Sequence, residues 1–423
     1  DDLSNLLMRI LAFAAITLAF RTWLRRPLVS AALAFWFGWA FLLMGGIVAE
    51  SKLWSIIQTP WAPYMQQMFD GAFVGFMLAS LAPARPGSPE QYQVFVMKVE
   101  RVLQRIGRKT MIALFLIGSL FLFQRILTLG FSSSYLADVR AVYNERSGSA
   151  LLQIGSHLTV IATMLAILRG LVDAFRGVDI KALSLTILAA APQGLANGGR
   201  LFLLTLIIAY SASLLLTRSS IRITPTVLTG LETAKLAGAI AILLLIFAVM
   251  GFNRGGYGEQ LDVFYTIIIW PVSTLTVMDD WVAAALSGDR TYGLNTFGWV
   301  VNFLSRVNLV DTSSTSRIMQ DVAYYFSDTH NSALVIPRSI LPDLIFDFGP
   351  KGIFVSIAVI AFVLEFFSTR FAVRGYFLHV LAVQSLIAGF MSIQTSVLTP
   401  SVATSLFWAA MLSFFMRARW RRY

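Results

Sequence analysis

The sequence contains no cysteine and only three histidines among 423 residues. The absence of cysteine excludes disulfides, thiolate catalysis and cysteine-ligated metals. The histidines, His157, His330 and His379, are too few and too scattered to indicate a histidine-based metal site. We therefore expect neither a metal nor a cofactor.

Charged side chains are also scarce. They make up 13% of the chain, whereas 57% of the residues are hydrophobic and the mean hydropathy is +0.72. A soluble core of this size could not bury so much apolar side chain, so the composition predicts a polytopic membrane protein. In such a protein the net charge of +11 reports orientation and lipid contact, and we expect no nucleic-acid partner.

Apolar runs of spanning length predict an all-α integral membrane bundle of about 11–12 transmembrane helices. The runs lie at 6–20, 28–49, 66–83, 111–130, 150–168, 182–192, 201–217, 236–251, 352–369, 376–393 and 403–416. We predict three regions: an N-terminal transmembrane bundle (1–250), a large extracytoplasmic loop (251–351) and C-terminal transmembrane helices (352–423). Within the loop, Pro271 and the pair Asp279–Asp280 interrupt an apolar stretch, which favours interfacial or re-entrant helices.

Lysine and arginine concentrate in alternate loops, which predicts that those loops are cytoplasmic and that the first residues lie outside. These basic residues are Arg21, Arg25, Arg26, Arg85, Lys98, Arg101, Arg105, Arg108, Lys109, Arg169, Arg176, Lys181, Arg218, Arg222, Lys235, Arg370, Arg374, Arg417, Arg419, Arg421 and Arg422. The longest such loop, 83–109, has apolar and basic residues at helical spacing. It predicts an interfacial amphipathic helix whose partners are anionic lipids, with a merely solvated loop as the alternative.

Arginine is retained on the predicted outer side against this bias, with almost no lysine beside it. The outer arginines are Arg140, Arg146, Arg200, Arg254, Arg290, Arg306, Arg317 and Arg338. A preference for arginine indicates fork-shaped recognition of phosphate or carboxylate. The alternative is that each arginine pairs with a nearby carboxylate and holds the loop together.

Two outer turns carry glycine. The run 182–192 is expected to end at Pro192, and the following turn places three glycines before Arg200, so that helix-start amides could approach an anion. The polar stretch 316–352 is expected to be the end of the large loop. It would re-enter the membrane at 347–352, where two glycines and a proline allow a sharp turn.

A set of short motifs resembles the oligosaccharide repeat unit polymerases. The motifs are Gly198-Gly199-Arg200 at the start of a leucine-rich helix, Arg254 outside the next helix, Thr329-His330-Asn331, Asp347-Phe348-Gly349 and Gly352. These polymerases are bacterial inner-membrane glycosyltransferases of the O-antigen polymerase type, related in architecture to the O-antigen ligases. The resemblance covers roughly residues 130–390.

The resemblance implies an enzyme that joins polyprenyl-pyrophosphate-linked oligosaccharide units on the periplasmic side of the inner membrane. Donor and acceptor are both lipid-linked units, and proteins that set chain length or flip the substrate are further partners. The arginines would bind the diphosphate: Arg200, Arg254 and Arg338 match best, and Arg140 matches loosely. Pro350-Lys351 departs from the family's last motif, and the catalytic histidine of the ligases has no counterpart unless His330 takes that place.

The chemistry expected of these residues is metal-independent glycosyl transfer. Arginines and helix amino termini would stabilise the leaving diphosphate. A base must take the acceptor's hydroxyl proton, and the candidates are His330, Asp328 and Asp280. His330 ranks first because imidazole titrates nearest neutrality. Two other functions stay open: a ligase-like transferase, and a lipid-linked oligosaccharide flippase or transporter.

Overall fold

The computed structural model describes most of the apolar runs and little of the predicted outer loop. The described residues are 2–52, 59–82, 89–129, 150–196, 200–221, 229–230, 233–234, 238, 274–275, 278–287, 339–370, 375–393, 408–411 and 413. Within these residues all regular structure is helical, and five helices are long and apolar enough to cross a membrane. The prediction of an all-α membrane protein is thus confirmed, whereas the helix count and the outer loop remain predictions.

The helices follow the apolar runs. They are α1 (Asp2–Trp23), α2 (Ala31–Lys52), α3 (Ala62–Leu81), α4 (Pro89–Val102), α5 (Arg108–Leu129), α6 (Ala150–Arg176), α7 (Ile180–Ala196), α8 (Arg200–Ile221), α9 (Met278–Ser287), α10 (Ile340–Arg370) and α11 (Tyr376–Met391). The candidate spans are α1, 31–48 of α2, 108–127 of α5, 158–176 of α6, and α10. Two further apolar helices, α7 and α11, are shorter.

The chain forms two compact units, each assembled from separated stretches. The first unit comprises Asp1–Pro83, Ile268–Phe366 and Ala388–Ala403, and the second comprises Ala84–Ile267, Phe367–Ile387 and Thr404–Tyr423. The three regions predicted from the sequence stay predictions, because most of 251–351 lies outside the described residues.

Aromatic side chains from α2 and α3 fill the core of the first unit. Trp36 and Trp39 are fully buried among phenylalanines, and the ring of Trp39 lies 5.4 Å from that of Phe69 in an edge-on arrangement. A buried indole needs an acceptor for its N–H. Thr17 Oγ1 accepts from Trp36 at 3.2 Å, and Ser392 Oγ accepts from Trp39 at 3.0 Å. The aromatic core therefore connects α2 to α1 and to Ser392, the residue that follows α11.

An ion pair explains how α1 carries an arginine within an apolar run. Arg9 donates from Nε to Asp70 Oδ1 at 2.9 Å and from Nη2 to Asp70 Oδ2 at 2.6 Å. Charged groups inside apolar helices are tolerated when they pair with one another. The pair also fixes the register of α1 against α3.

Two glycines let the backbone of α3 touch that of α10. A Cβ atom added at Gly71 would overlap the carbonyl oxygen of Phe354, and one added at Gly75 would overlap that of Ala358. Small residues four apart permit this close approach, which replaces hydrophobic driving force with van der Waals contact in lipid. The middle of α10 is thereby held directly against α3.

A buried ion pair joins the other end of α10 to the α1–α2 turn. Arg21 Nη1 donates to Glu365 Oε1, and both side chains are 0% exposed. Glu365 Oε2 accepts from the backbone N–H of Ala32 at 2.9 Å, and Arg21 Nε donates to the carbonyl oxygen of Pro27 at 2.8 Å. Both members of this ion pair are thus hydrogen-bonded to the backbone as well, which burial of a charge favours.

Helices α5 to α8 form the core of the second unit. Leu206, Tyr210 and Leu214 lie on one face of α8 and are fully buried. A Cβ atom at Gly170 of α6 would overlap the carbonyl oxygen of Tyr210, so these two helices also meet at backbone distance. The buried His379 Nε2 lies 2.8 Å from Ser213 Oγ, which itself donates to the carbonyl oxygen of Ile167 at 2.7 Å. Because the serine's single proton is committed, the histidine nitrogen is the donor.

The expectation that the run 182–192 ends at Pro192 is wrong. Helix α7 continues through Pro192 to Ala196. Gly118 of α5 makes room at this point: a Cβ atom there would lie 3.5 Å from Pro192 Cβ and 3.0 Å from the backbone nitrogen of Gln193. Tight packing against α5 thus offsets the one helical hydrogen bond that proline removes. The predicted helix start at Arg200 is confirmed.

Candidate functional site

Helix α10 begins before the motif that the sequence analysis took as its start. Its first residue is Ile340, and Ser339 precedes it as a cap, with Oγ accepting from the backbone N–H of Leu341 at 3.3 Å. The expectation of a polar loop up to Gly352 is therefore wrong for residues 340–348. The local signals were a serine cap, Pro342 in the first turn and an acidic residue after it, all typical of a helix start.

Three polar residues lie on one face of this early segment. Ser339, Asp343 and Asp347 are spaced four residues apart, so a helix places them on the same side, one turn above the next. Ser339 and Asp343 are 0% exposed and Asp347 is 2% exposed. Carboxylates near a helix N-terminus are stabilised by its dipole. The segment therefore presents its polar face to the protein.

The sharp turn predicted in the Asp347–Gly352 motif is found at Gly349, inside the helix. Gly349 has φ 69° and ψ 173°, which interrupts α10 in a conformation that favours glycine. Gly352 leaves room for the side chain of Phe348, because a Cβ atom at position 352 would lie only 2.6 Å from Phe348 Cβ. The break at Gly349 thus separates a short segment, 340–348, from the apolar span that follows.

The start of α10 meets the start of α9. Ser339 Oγ donates to Met278 Sδ at 3.5 Å, and the next backbone N–H, of Ile340, donates to the carbonyl oxygen of Ser392 at 3.0 Å. Val282 and Ala285 of α9 pack into the same core as the first turns of α10. We call this meeting point the α9–α10 junction; it is the candidate site.

Most of the predicted site residues lie outside the part of the chain that the structure describes. Arg140, Arg254, Asp328, His330 and Arg338 lie outside the described residues. For the other two, the backbone is described and the side chain is not. Asp280 lies in the first turn of α9 in the first unit, and Arg200 is the first residue of α8 in the second unit. Of the predicted site residues that the structure describes, only Asp280 lies on a helix of the α9–α10 junction.

A second polar cluster, which the sequence did not indicate, surrounds Asp173 in the second unit. Asp173 Oδ2 accepts from the hydroxyl of Tyr210 at 2.8 Å and from the backbone N–H of Asp179 at 3.2 Å, and Oδ1 lies 2.9 Å from Arg169 Nε. Arg218 Nε donates to the carbonyl oxygen of Ala174 at 3.1 Å. These contacts hold the turn between α6 and α7 against α8.

The cluster lines a cleft of about 750 Å³. Arg169 also pairs with Asp179 at 2.7 Å, and Arg176 pairs with Glu100 of α4 at 2.6 Å. The charged residues that line the cleft are therefore all paired with one another: Glu100, Arg169, Asp173, Arg176 and Asp179. Ion pairs shared among neighbouring side chains in this way are typical of a structural network.

In the part of the chain that the structure describes, no group of three or more histidine, aspartate or glutamate side chains is arranged to hold a metal ion. Comparisons with protein-family models, with curated proteins and with solved structures found no match. The resemblance to the repeat unit polymerases thus rests on the sequence motifs alone.

Proposed function

We propose that this chain is a glycosyltransferase that polymerises polyprenyl-pyrophosphate-linked oligosaccharide units into O-antigen, capsular or exopolysaccharide. The reaction would take place on the periplasmic side of a bacterial inner membrane. Two findings are compatible with the proposal: the helical membrane architecture, and the start of a leucine-rich helix at Arg200.

The observation that carries the proposal is the contact between Met278 and Ser339 at the α9–α10 junction. Asp280 follows Met278 by two residues, and Arg338 is bonded directly to Ser339. Asp280, a predicted base, and Arg338, a predicted diphosphate-binding residue, are thus each within two residues of a side chain that forms this contact. Glycosyl transfer needs both groups around one anomeric carbon.

In the proposed reaction the acceptor hydroxyl oxygen attacks the anomeric carbon of the donor. The new glycosidic bond forms while the bond from that carbon to the diphosphate oxygen breaks, and the polyprenyl diphosphate leaves with the electron pair. The hydroxyl proton passes to Asp280, Asp328 or His330. The charge that develops on the leaving oxygen is the quantity that the site must stabilise.

The arginines would supply that stabilisation together with helix amides. Arg200 is the first residue of α8, and Arg338 immediately precedes the serine cap of α10. A helix N-terminus presents backbone N–H groups and a partial positive charge, and a guanidinium adds a two-pronged donor that fits a phosphate. Arg254 and Arg140 complete the proposed diphosphate-binding set.

The test is an incubation of purified, reconstituted protein with a lipid-linked repeat unit as sole substrate, resolved by gel for a ladder of chain lengths. Arg338→Ala should abolish the ladder, and Asp280→Asn should lower its rate by about 100-fold or more if Asp280 is the base. Lys351→Gln is the matched control, because Lys351 is an exposed cation close to the same junction in sequence and is given no role.

Variants His330→Gln and Asp328→Asn identify the base if Asp280→Asn retains activity. A ladder of normal length from Arg338→Ala would overturn the role of that arginine. No ladder from the unaltered protein would favour the other functions, since a ligase also needs its own acceptor and a transporter forms no bond.

A further inference from the structure

Helix α4 does not end where the span begins. The backbone is helical from Pro89 to Leu129, passing from α4 through a single wider π-helical turn at Leu103–Gly107 into α5. About 41 residues of helix extend roughly 60 Å, twice the apolar thickness of a bilayer. The amphipathic part is therefore continuous with α5, and the two helices together are longer than one membrane crossing requires.

The apolar face of α4 is turned toward the protein. Val96 is 5% exposed and Val99 is fully buried, and α4 contacts α6. Both valines belong to the apolar residues at helical spacing from which an interfacial helix was predicted for the loop 83–109. The opposite face of α4 is therefore the one exposed to solvent or lipid.

That other face is basic where it approaches the span. Arg101, Arg105, Arg108 and Lys109 are all exposed, and we call these four residues the collar. None of the four forms an ion pair with another described residue. By contrast, Glu100, the carboxylate next to Arg101, is already neutralised by Arg176 at 2.6 Å. Within the described residues, the positive charge of the collar is thus not compensated by a carboxylate.

The surface passes directly from this charge to apolar side chains. One and two turns beyond Arg108, Ile112, Phe115 and Leu116 are about half exposed, as expected for a helix that faces lipid. The collar therefore occupies the first turn of a candidate span and the two turns before it, at the level of phospholipid headgroups. Long arginine and lysine side chains can place their charge among phosphates from this position.

We propose that the collar is a binding site for the headgroups of anionic glycerophospholipids. Juxtamembrane clusters of about four or more basic residues are attracted to acidic lipids. An acidic protein or a nucleic acid would also meet positive charge, but continuity with the lipid-facing side chains of α5 favours the membrane. The contact would fix the depth of α5 and the level of the α4 extension.

The test measures lipid retained by the full chain in detergent, by native mass spectrometry, with phosphatidylglycerol against phosphatidylcholine. The unaltered protein should prefer phosphatidylglycerol, and Arg101→Gln/Arg105→Gln/Arg108→Gln should lower its retention about tenfold or more. The control Arg101→Lys/Arg105→Lys/Arg108→Lys keeps the charge and should retain the lipid. Equal retention of phosphatidylglycerol by the glutamine variant would overturn the proposal.

A second measurement avoids altering the collar. Because the chain has no cysteine, Met97→Cys provides a unique labelling position on the exposed side of α4. In phosphatidylcholine vesicles, a fluorophore there should be quenched more by spin-labelled phosphatidylglycerol than by spin-labelled phosphatidylcholine. The excess should disappear at about 1 M salt, where screening acts within a few ångströms. Equal quenching by both lipids would overturn the proposal and favour a protein partner.

Discussion

Two charge networks, one in each unit, lie in different surroundings. In the first unit, Arg21 and Glu365 are fully buried, and each also forms a hydrogen bond with the backbone. In the second unit, Arg169 is 26% exposed and Asp179 is 47% exposed, and both border an open cleft. One network is closed and the other is open.

The difference in exposure between the two networks indicates which of them the stability of the fold depends on more. A buried pair contributes little net stability over an apolar replacement, yet removing one partner leaves a charge without water or counter-charge. An exposed pair can be rehydrated when its partner is lost. We therefore expect the closed network to be intolerant of single changes and the open one to be tolerant.

The largest effect is expected for Glu365→Gln. It leaves the Arg21 guanidinium buried without its counter-charge and should lower the free energy of unfolding by about 3–5 kcal/mol. Denaturant unfolding in mixed micelles measures the change. The double variant Arg21→Met/Glu365→Leu should recover most of the loss, and failure of either result would remove the distinction between closed and open networks.

An intermediate effect is expected for Asp173→Asn, since Asp173 is buried while its partner Arg169 reaches the cleft. The change weakens contacts to Arg169, Tyr210 and the backbone of Asp179, and should cost about 1–3 kcal/mol. Tyr210→Phe removes a single hydrogen bond and serves as the smaller reference, at about 1 kcal/mol. A cost for Asp173→Asn equal to that of Glu365→Gln would show that the second unit is closed as well.

The smallest effect is expected for Glu100→Gln. The pair that it breaks has its arginine 66% exposed, so the loss should be at most about 1 kcal/mol. The difference from the unaltered protein should shrink further as salt rises from 0.1 to about 1 M, because screening already weakens the pair. A loss that is independent of salt would place this pair with the closed network.

Local sequence signals predicted the positions of helices more reliably than the contacts between residues that are distant in the sequence. Apolar runs located most of the helices within a few residues, because the bilayer imposes length and composition on a span. Arg21 and Glu365 are 344 positions apart, and no local pattern could pair them. Pro192 gave a wrong prediction for the end of α7, because packing against Gly118 overrides the tendency of proline to end a helix. The start of α10 was missed because the residues around Asp343 were assigned to a loop.

The candidate site was predictable to a smaller degree. The Asp347–Gly352 motif correctly marked a sharp turn, since only glycine readily adopts the φ found at residue 349. The contact between Met278 and Ser339 depends on how two separated segments pack, and it had no signal in the sequence. The binding of diphosphate by the arginines remains a prediction. The residue type indicates what an arginine can bind, but not which arginines lie close together in the fold.

The break at Gly349 divides α10 into parts with different attachments. Beyond it, the helix is fixed by the two α3 glycines at Phe354 and Ala358 and by Arg21 at its far end. Before it, nine residues rest on the α9–α10 junction and on Ser392. A ligand that displaced residues 340–348 would turn them about the backbone of Gly349, while the rest of α10 stayed packed against α3.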